Sequence, residues 1–199
     1  YRLMKKNQRF DAGFSLIEIM VVVTILGVLM SLGLAISNYV REKSKRSLAE
    51  VEVSAMRSAC ESYKNDQSAY PRTNATDGLS GLDPDTNHYR EASRDLYIAL
   101  SGDTDLNGVS DAYQGVVPQG KKTAEPVYMD FKPNMLRKKE GVVFYLKDPW
   151  DAGDAGEKPY GYSTKRAKDP SNAEAGYNVT YDLWSTAGKP ENPKAWISN

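Results

Sequence analysis

An apolar run of 23 residues, 14–36, constrains this chain more than any other feature of its sequence. A helix rises about 1.5 Å per residue, so a helix of this length spans the roughly 30 Å hydrocarbon core of a bilayer. Four basic residues precede the run, Arg2, Lys5, Lys6 and Arg9. By the positive-inside rule they place the N-terminus in the cytoplasm. The run therefore predicts a membrane-spanning helix, with the rest of the chain on the far side of the membrane.

A single charged side chain, Glu18, interrupts this run. An ionised carboxylate in hydrocarbon costs several kcal/mol, and such residues are commonly functional, with a partner nearby. A secretory signal peptide would be shorter and would end in a small-residue cleavage pattern, and a plain signal anchor has no need of the acid. If the chain were cut between Gly13 and Phe14, the new α-amine could neutralise Glu18 of a neighbouring, axially staggered helix. Glu18 would then favour assembly, because a lone subunit leaves it unpaired.

The stretch GFSLIEIMVVVTILGVL resembles the N-terminus of type IV prepilins and pseudopilins, in which a basic leader ending in Gly precedes Phe, three residues, Glu and an apolar helix. The resemblance implies that residues 1–13 are a leader. An alternative start is Met4, since MKKNQRFDAG is a typical short leader, and Tyr1–Leu3 would then be upstream sequence. The resemblance also implies that a prepilin peptidase cuts after Gly13 and methylates the new N-terminus at Phe14. Glu18 is then the assembly acid.

Composition excludes several other classes of protein. The net charge of zero gives no sign of nucleic-acid binding, which normally shows as a basic patch or stripe. A single cysteine, Cys60, rules out an internal disulfide and a cysteine-based zinc site, and a single histidine, His88, argues against histidine-centred catalysis. No motif joins a nucleophile to a base, so we predict a structural protein and not an enzyme.

The helix is predicted to run from residue 14 to about residue 66, because Pro71 ends it. Its part beyond the membrane lies in an amphipathic segment, 37–70. Its apolar side chains recur at spacings of three and four residues, which predicts a stripe that packs against a head domain. The stripe comprises Leu48, Val51, Ala55, Ala59 and Tyr63, widened by Met56 and Cys60, which is expected to be a small buried core residue.

The predicted head domain covers residues 71–199. A short helix is predicted over about 90–100, and His88 is expected in an exposed loop before it. Three later segments, GVVFYLKDPW, KPYGYSTKR and GYNVTYDLWSTAG, have strand composition and are separated by Gly, Asp and Pro clusters that suit turns. The predicted fold is therefore α+β: a long N-terminal helix, membrane-spanning in its first half, packed on a small antiparallel sheet of about three strands.

The series of motifs DPW…PYGY…YDLWSTAGK is similar to the β-region of the major pseudopilin of type II secretion systems. This second resemblance implies a subunit of a periplasmic pseudopilus that drives protein secretion, anchored first in the bacterial inner membrane. The implied partners are copies of the chain itself, minor pseudopilins, the inner-membrane assembly platform and the prepilin peptidase. The alternative is a type IV pilin of a surface fibre for adhesion, motility or DNA uptake. The single cysteine argues against that alternative, because such pilins usually carry a C-terminal disulfide loop.

Two loops are candidates for binding Ca²⁺. The pseudopilin resemblance implies one after the last strand, where Glu191 and Asn192 could ligate, although Lys189 stands where the family has an acid. The other is DTDLNGVSDAYQ, in which oxygen-bearing residues alternate as in an EF-hand, with Gly108 at the sharp turn and Gln114 in place of the usual Glu. Its predicted ligands are Asp103, Asp105, Asn107, Asp111 and the carbonyl of Val109. A solvated acidic surface loop is the alternative interpretation of this stretch.

Overall fold

The computed structural model of the chain describes residues 13–120 and 123–199, and within the first helix it describes residues 32–36 by their backbone alone. The predicted leader therefore lies outside the described residues, except for Gly13. The described residues form five α-helices: α1 (Leu16–Gln67), α2 (Asn74–Gly78), α3 (Tyr89–Ser101), α4 (Asp111–Gln114) and α5 (Lys165–Lys168). The same part of the chain has five strands: β1 (Leu136–Lys139), β2 (Val142–Leu146), β3 (Gly161–Ser163), β4 (Asp182–Ser185) and β5 (Ile197–Ser198). The α+β prediction, including the long first helix and the antiparallel pairing, is confirmed.

Two compact units divide the chain, one up to Lys43 and one from Ser44 to the end. In the first unit the large apolar side chains between Phe14 and Met30 are exposed, from 83% for Phe14 to 47% for Leu26. No helix of the described residues combines the length and the apolar character needed to cross a membrane.

The second half of α1 buries one face in the head, but the predicted stripe is partly wrong. Ala49, Val53, Met56 and Cys60 are buried, whereas Leu48 and Val51 are 44% and 63% exposed. Both sets of residues follow spacings of three and four, so periodicity alone does not decide which one packs. The prediction for Cys60 is confirmed, and burial raises the pKa of its thiol to about 12.

Helix α3 is the second layer against which the strands pack. Its buried face carries Ala92, Leu96, Tyr97 and Leu100, at the spacing of an amphipathic helix. Gly102 ends the helix in the left-handed region, with φ of 65°, and its amide donates to the carbonyl of Ile98. The predicted helix over 90–100 is therefore confirmed.

The strands form two small antiparallel sheets and not the single sheet of about three strands that the sequence suggested. One is the β1–β2 hairpin, and the other has the order β3–β4–β5. The hairpin turns at Glu140 and Gly141, both at positive φ, and its register pairs Leu136 with Leu146. Strands β1 and β5 were missed, because LRKK has the composition of an exposed segment and β5 is only two residues long.

An aromatic cluster centred on Trp184 of β4 supports the three-stranded sheet. Trp184 is fully buried, stacks on Trp196 with ring centroids 5.9 Å apart, and meets Tyr89 edge to face at 5.2 Å. Gly161 on β3 pairs with Trp184 across the sheet. A Cβ on Gly161 would lie 2.1 Å from the indole atom Cε2, so only glycine leaves room for the ring.

Candidate functional site

The predicted processing and assembly segment lies at the N-terminal end of α1. Glu18 is in the first turn of the helix, and its Oε2 accepts a hydrogen bond of 2.8 Å from the backbone amide of Ser15. A carboxylate in this position satisfies one of the amides that a helix leaves without an intrahelical acceptor. The Glu18 carboxylate is thus held at the end of α1 that begins beside Phe14.

The surroundings of Glu18 are apolar and exposed. Ile17, Ile19, Val21 and Val22 are each between half and two-thirds exposed, and Gly13 has no atom within 4 Å of the place where a Cβ would stand. Contiguous exposed apolar surface marks a surface that lipid or another protein covers. The Gly13–Phe14 peptide bond, the predicted cleavage point, therefore adjoins a surface suited to a hydrophobic environment.

The second candidate site is the loop between α3 and α4. Among the described residues, Asp103, Asp105 and Asp111 form the group of carboxylates that could hold a metal ion, with one oxygen from each lying within 4.8 Å of the others. Asp103 and Asp111 are fully buried, whereas Asp105 is exposed. The structure thus brings together three of the five residues predicted for this loop.

The two remaining predicted ligands are close by but engaged elsewhere. The Asn107 Oδ1 atom accepts from the amide of Val109 at 2.8 Å and from Gln114 Nε2 at 3.3 Å. The carbonyl of Val109 accepts from the same Gln114 nitrogen at 3.0 Å. Gln114, at the twelfth position of the loop, therefore bridges the residues at the fifth and seventh.

Residues outside the spacing pattern complete the loop, and sequence reasoning missed them. The hydroxyl of Tyr97 donates to Asp103 Oδ2 at 2.5 Å, and Thr104 donates both its amide and its hydroxyl to Asp111 Oδ2. Burial raises the pKa of Asp103, partly opposed by the Tyr97 hydroxyl, and the adjacent Asp105 raises it further. The position of Tyr97 six residues before Asp103, on the buried face of α3, was the available signal.

The predicted loop after the last long strand has a different arrangement. Glu191 and Asn192 are exposed, and Asn192 immediately precedes a 3₁₀ turn at Pro193–Ala195. The carbonyl of Gly188 accepts from the Lys158 ammonium at 3.4 Å, and that of Lys189 accepts from the indole of Trp196 at 3.0 Å. Both of these backbone carbonyls therefore already accept a hydrogen bond from a side chain.

His88 is exposed, as predicted, and takes part in a small surface network. Its Nδ1 lies 2.8 Å from Asp83 Oδ2 and its Nε2 lies 3.6 Å from Asp85 Oδ2. The hydrogen bond and the negative charge of Asp83 raise the pKa of the imidazole. His88 is the last residue of a 3₁₀ turn that directly precedes α3, so this network lies at the N-terminal end of that helix.

The N-terminal segment is similar to a known family. Residues 8–34 match the family model described as the prokaryotic N-terminal methylation motif, so the chain carries a prepilin-type N-terminus. The resemblance to prepilins and pseudopilins drawn from the sequence is thereby confirmed.

The more particular resemblance is to the type II secretion system core protein G. The chain is 38% identical to that protein of Vibrio cholerae over 93 residues, which cover 43% of this chain and 61% of the relative. It is 42% identical to the protein of Dickeya chrysanthemi over 79 residues, 40% of this chain and 48% of the relative. For Pseudomonas aeruginosa the identity is 40% over 76 residues, 38% of this chain and 52% of the relative. The chain thus spans about half to three-fifths of the length of these curated relatives, and no solved structure matches it.

Proposed function

We propose that this chain is a structural pseudopilin subunit that polymerises into a periplasmic pseudopilus driving type II protein secretion. The observation that carries the proposal is Glu18, one acid at the start of an exposed apolar helix, five residues after Gly13 within a methylation motif. The similarity to core protein G of several bacteria supports the secretion role over other roles of such helices.

Processing creates the charge that assembly uses. Cleavage after Gly13 exposes the α-amine of Phe14, four residues before Glu18, at the same end of α1. In a bundle of staggered helices this amine lies beside Glu18 of a neighbouring copy, and the two charges neutralise each other. A subunit that remains alone keeps an unpaired carboxylate in an apolar medium, at a cost of several kcal/mol. The growing filament is therefore favoured over the isolated subunit.

Before assembly, the subunits are anchored in the membrane. Basic residues before the apolar run favour a cytoplasmic N-terminus and a periplasmic head, held by a single pass of the bacterial inner membrane. The exposed apolar side chains from Phe14 to Met30 are covered by lipid before assembly and by neighbouring copies afterwards. The head contributes the outer surface of the filament, and the chain's role is mechanical, with no catalytic step of its own.

The partners of such a subunit follow from these steps. A prepilin peptidase cuts after Gly13 and methylates Phe14. The other proposed partners are the inner-membrane assembly platform, minor pseudopilins and further copies of this chain.

Deletion of the gene in its native host tests the proposal. The culture's secreted proteins and its surface fibres are compared with those of the wild type and of a strain complemented in trans. We expect exported proteins to accumulate in the periplasm while surface fibres persist, and complementation to restore export. Loss of surface fibres with normal export would contradict the proposal and identify a type IV pilin.

A further inference from the structure

We propose that the loop Asp103–Asp111 binds a calcium ion through the carboxylates of Asp103, Asp105 and Asp111. This loop connects α3 to α4 and is separate from the loop after the last long strand. The inference concerns the head alone and does not depend on the filament role proposed above.

Asp111 supplies the observation that distinguishes this loop from an ordinary acidic surface loop. Its side chain is fully buried, and its Oδ1 has no hydrogen-bond partner. The other oxygen, Oδ2, accepts both bonds from Thr104. A buried carboxylate oxygen without a partner is costly and uncommon in folded proteins. Asp111 belongs to the group of three carboxylates, and a cation bound by that group would give this buried oxygen a partner.

The three carboxylates are gathered closely enough for one ion. One oxygen from each lies within 4.8 Å of the others, and oxygen atoms that ligate one Ca²⁺ at roughly 2.3–2.6 Å are separated by no more than about twice that length. When all three carboxylates are ionised they repel each other in this space, and a bound cation would neutralise that repulsion. Asp105 is exposed, which leaves the site open to solvent on one side.

The loop is held in shape without an ion. Asp103 accepts from Tyr97 and from the amide of Gly108 at 2.7 Å, and the amide of Asp111 donates to the carbonyl of Gly102 at 3.2 Å. The amide of Val143 on β2 donates to the carbonyl of Leu106 at 2.7 Å, which fastens the loop to the hairpin. Because these bonds already order the loop, less conformational entropy is lost when an ion binds, and this favours affinity.

The chemistry of the candidate ligand atoms determines which kind of ion the loop would bind. All the candidate ligands are oxygen atoms, and hard cations such as Ca²⁺ prefer these, whereas Zn²⁺ favours nitrogen and sulfur. The nearby ammonium of Lys138 donates to the backbone carbonyl of Asn107 at 2.7 Å, so it does not take the place of the cation. Without a bidentate Glu at the twelfth position, we expect a dissociation constant in the weak range of about 10⁻⁵ to 10⁻³ M.

Titration of the detergent-solubilised full chain with CaCl₂ tests this inference. The chain is first stripped with a chelator, and binding is followed by calorimetry together with the thermal unfolding midpoint. We expect saturable binding of one ion and a rise of a few degrees in the midpoint of the wild type. Asp105→Asn should weaken affinity about tenfold or more, because it removes one carboxylate charge from the site, and Asp111→Asn should abolish measurable binding.

Controls separate the site from general effects of charge. Asp169→Asn, an exposed acid in another loop, should bind Ca²⁺ as the wild type does. Because Asp105 is exposed, Asp105→Asn should remain folded even if Asp111→Asn does not. Absence of binding by the wild type, or equal binding by Asp105→Asn, would overturn the proposal, and equal affinity for MgCl₂ would overturn the assignment to calcium.

Discussion

Tyr160 donates its hydroxyl to Glu52 Oε2 at 2.6 Å, and this bond joins the start of β3 to the long helix α1 across 108 positions of sequence. Tyr160 is fully buried and Glu52 is 7% exposed. Burial raises the pKa of Glu52, partly opposed by the Tyr160 hydroxyl and the positive charges of Lys132 and Lys147. The head is thus fastened to its helix by a buried polar contact as well as by apolar packing.

Replacement of this hydroxyl should destabilise the head. Tyr160→Phe leaves a buried carboxylate oxygen without its donor, and we expect a loss of about 1–3 kcal/mol in the free energy of unfolding. Urea unfolding of the detergent-solubilised full chain, followed by tryptophan fluorescence, measures this loss. Tyr113→Phe, at a 64% exposed tyrosine, is the matched control and should change stability little. Equal effects of the two substitutions would argue against a stabilising role of the bond.

Stability should fall as the pH rises between about 4 and 6, because of Asp148. Burial raises the pKa of this carboxyl to about 6, despite the lowering effects of the Ser185 hydroxyl and the Trp150 amide. The folded state therefore binds a proton that the unfolded state has already released, and this stabilisation is complete below about pH 4 and lost above about pH 6. The full loss corresponds to roughly 3 kcal/mol.

Asp148→Asn should remove this part of the pH dependence, since an amide does not titrate. Urea midpoints measured between pH 4 and 7 for the wild type and the variant give the comparison. Asp154→Asn, at a side chain that is 80% exposed, is the control and should keep the wild-type pH profile. If wild type and Asp148→Asn showed the same profile, Asp148 would not be the group responsible.

Gly161→Ala should destabilise the three-stranded sheet. The added methyl group would lie 2.1 Å from Trp184 Cε2, and the ring has little room to move because it is buried against Trp196 and Tyr89. Overpacking of this kind costs about 1–3 kcal/mol. The thermal midpoint, followed by near-ultraviolet circular dichroism, reports on these tryptophans. Gly78→Ala, where no atom lies within 4 Å, should be neutral, and a neutral Gly161→Ala would show that the ring can shift.

Removal of the charge of Glu18 should impair assembly but leave processing intact. Glu18→Gln keeps an oxygen that can accept from the Ser15 amide, so it separates the charge from the helix cap. We expect both Glu18→Gln and Glu18→Ala to lower the yield of cross-linked multimers in cells by about tenfold or more, since loss of one partner of a desolvated ion pair costs several kcal/mol. Multimers at the wild-type level in Glu18→Gln would show that capping, and not charge pairing, explains the acid.

Local patterns in the sequence predicted those secondary-structure elements that neighbouring residues determine. The long helix is set by its apolar run and by Pro71, and α3 by its amphipathic spacing, so both could be predicted to within a few residues. The carboxylates of the 103–111 loop could also be predicted, because the alternation of Asp and Asn, with Gly108 at positive φ, fixes a turn. The grouping of Asp103, Asp105 and Asp111 follows from that turn.

Features decided by packing at long range could not be predicted. Which face of α1 is buried depends on the apolar residues of the head that pack against it. Val53 is therefore buried and Val51 is exposed, although both fit the helical period. The Glu52–Tyr160 bond and the burial of Asp148 join distant segments, and no short pattern marks them. The division of the strands into two sheets depends on β1 and β5, whose pairing is set by their neighbours.

The proposed processing is tested by the intact mass of the chain isolated from native membranes, with Gly13→Val as the comparison. We expect the wild type to begin at Phe14 and to carry one methyl group on its N-terminus. We expect Gly13→Val, which places a branched side chain at the cleavage point, to retain its leader. A wild-type chain that still carries the residues before Phe14 would contradict both the processing and the assembly role assigned to this segment.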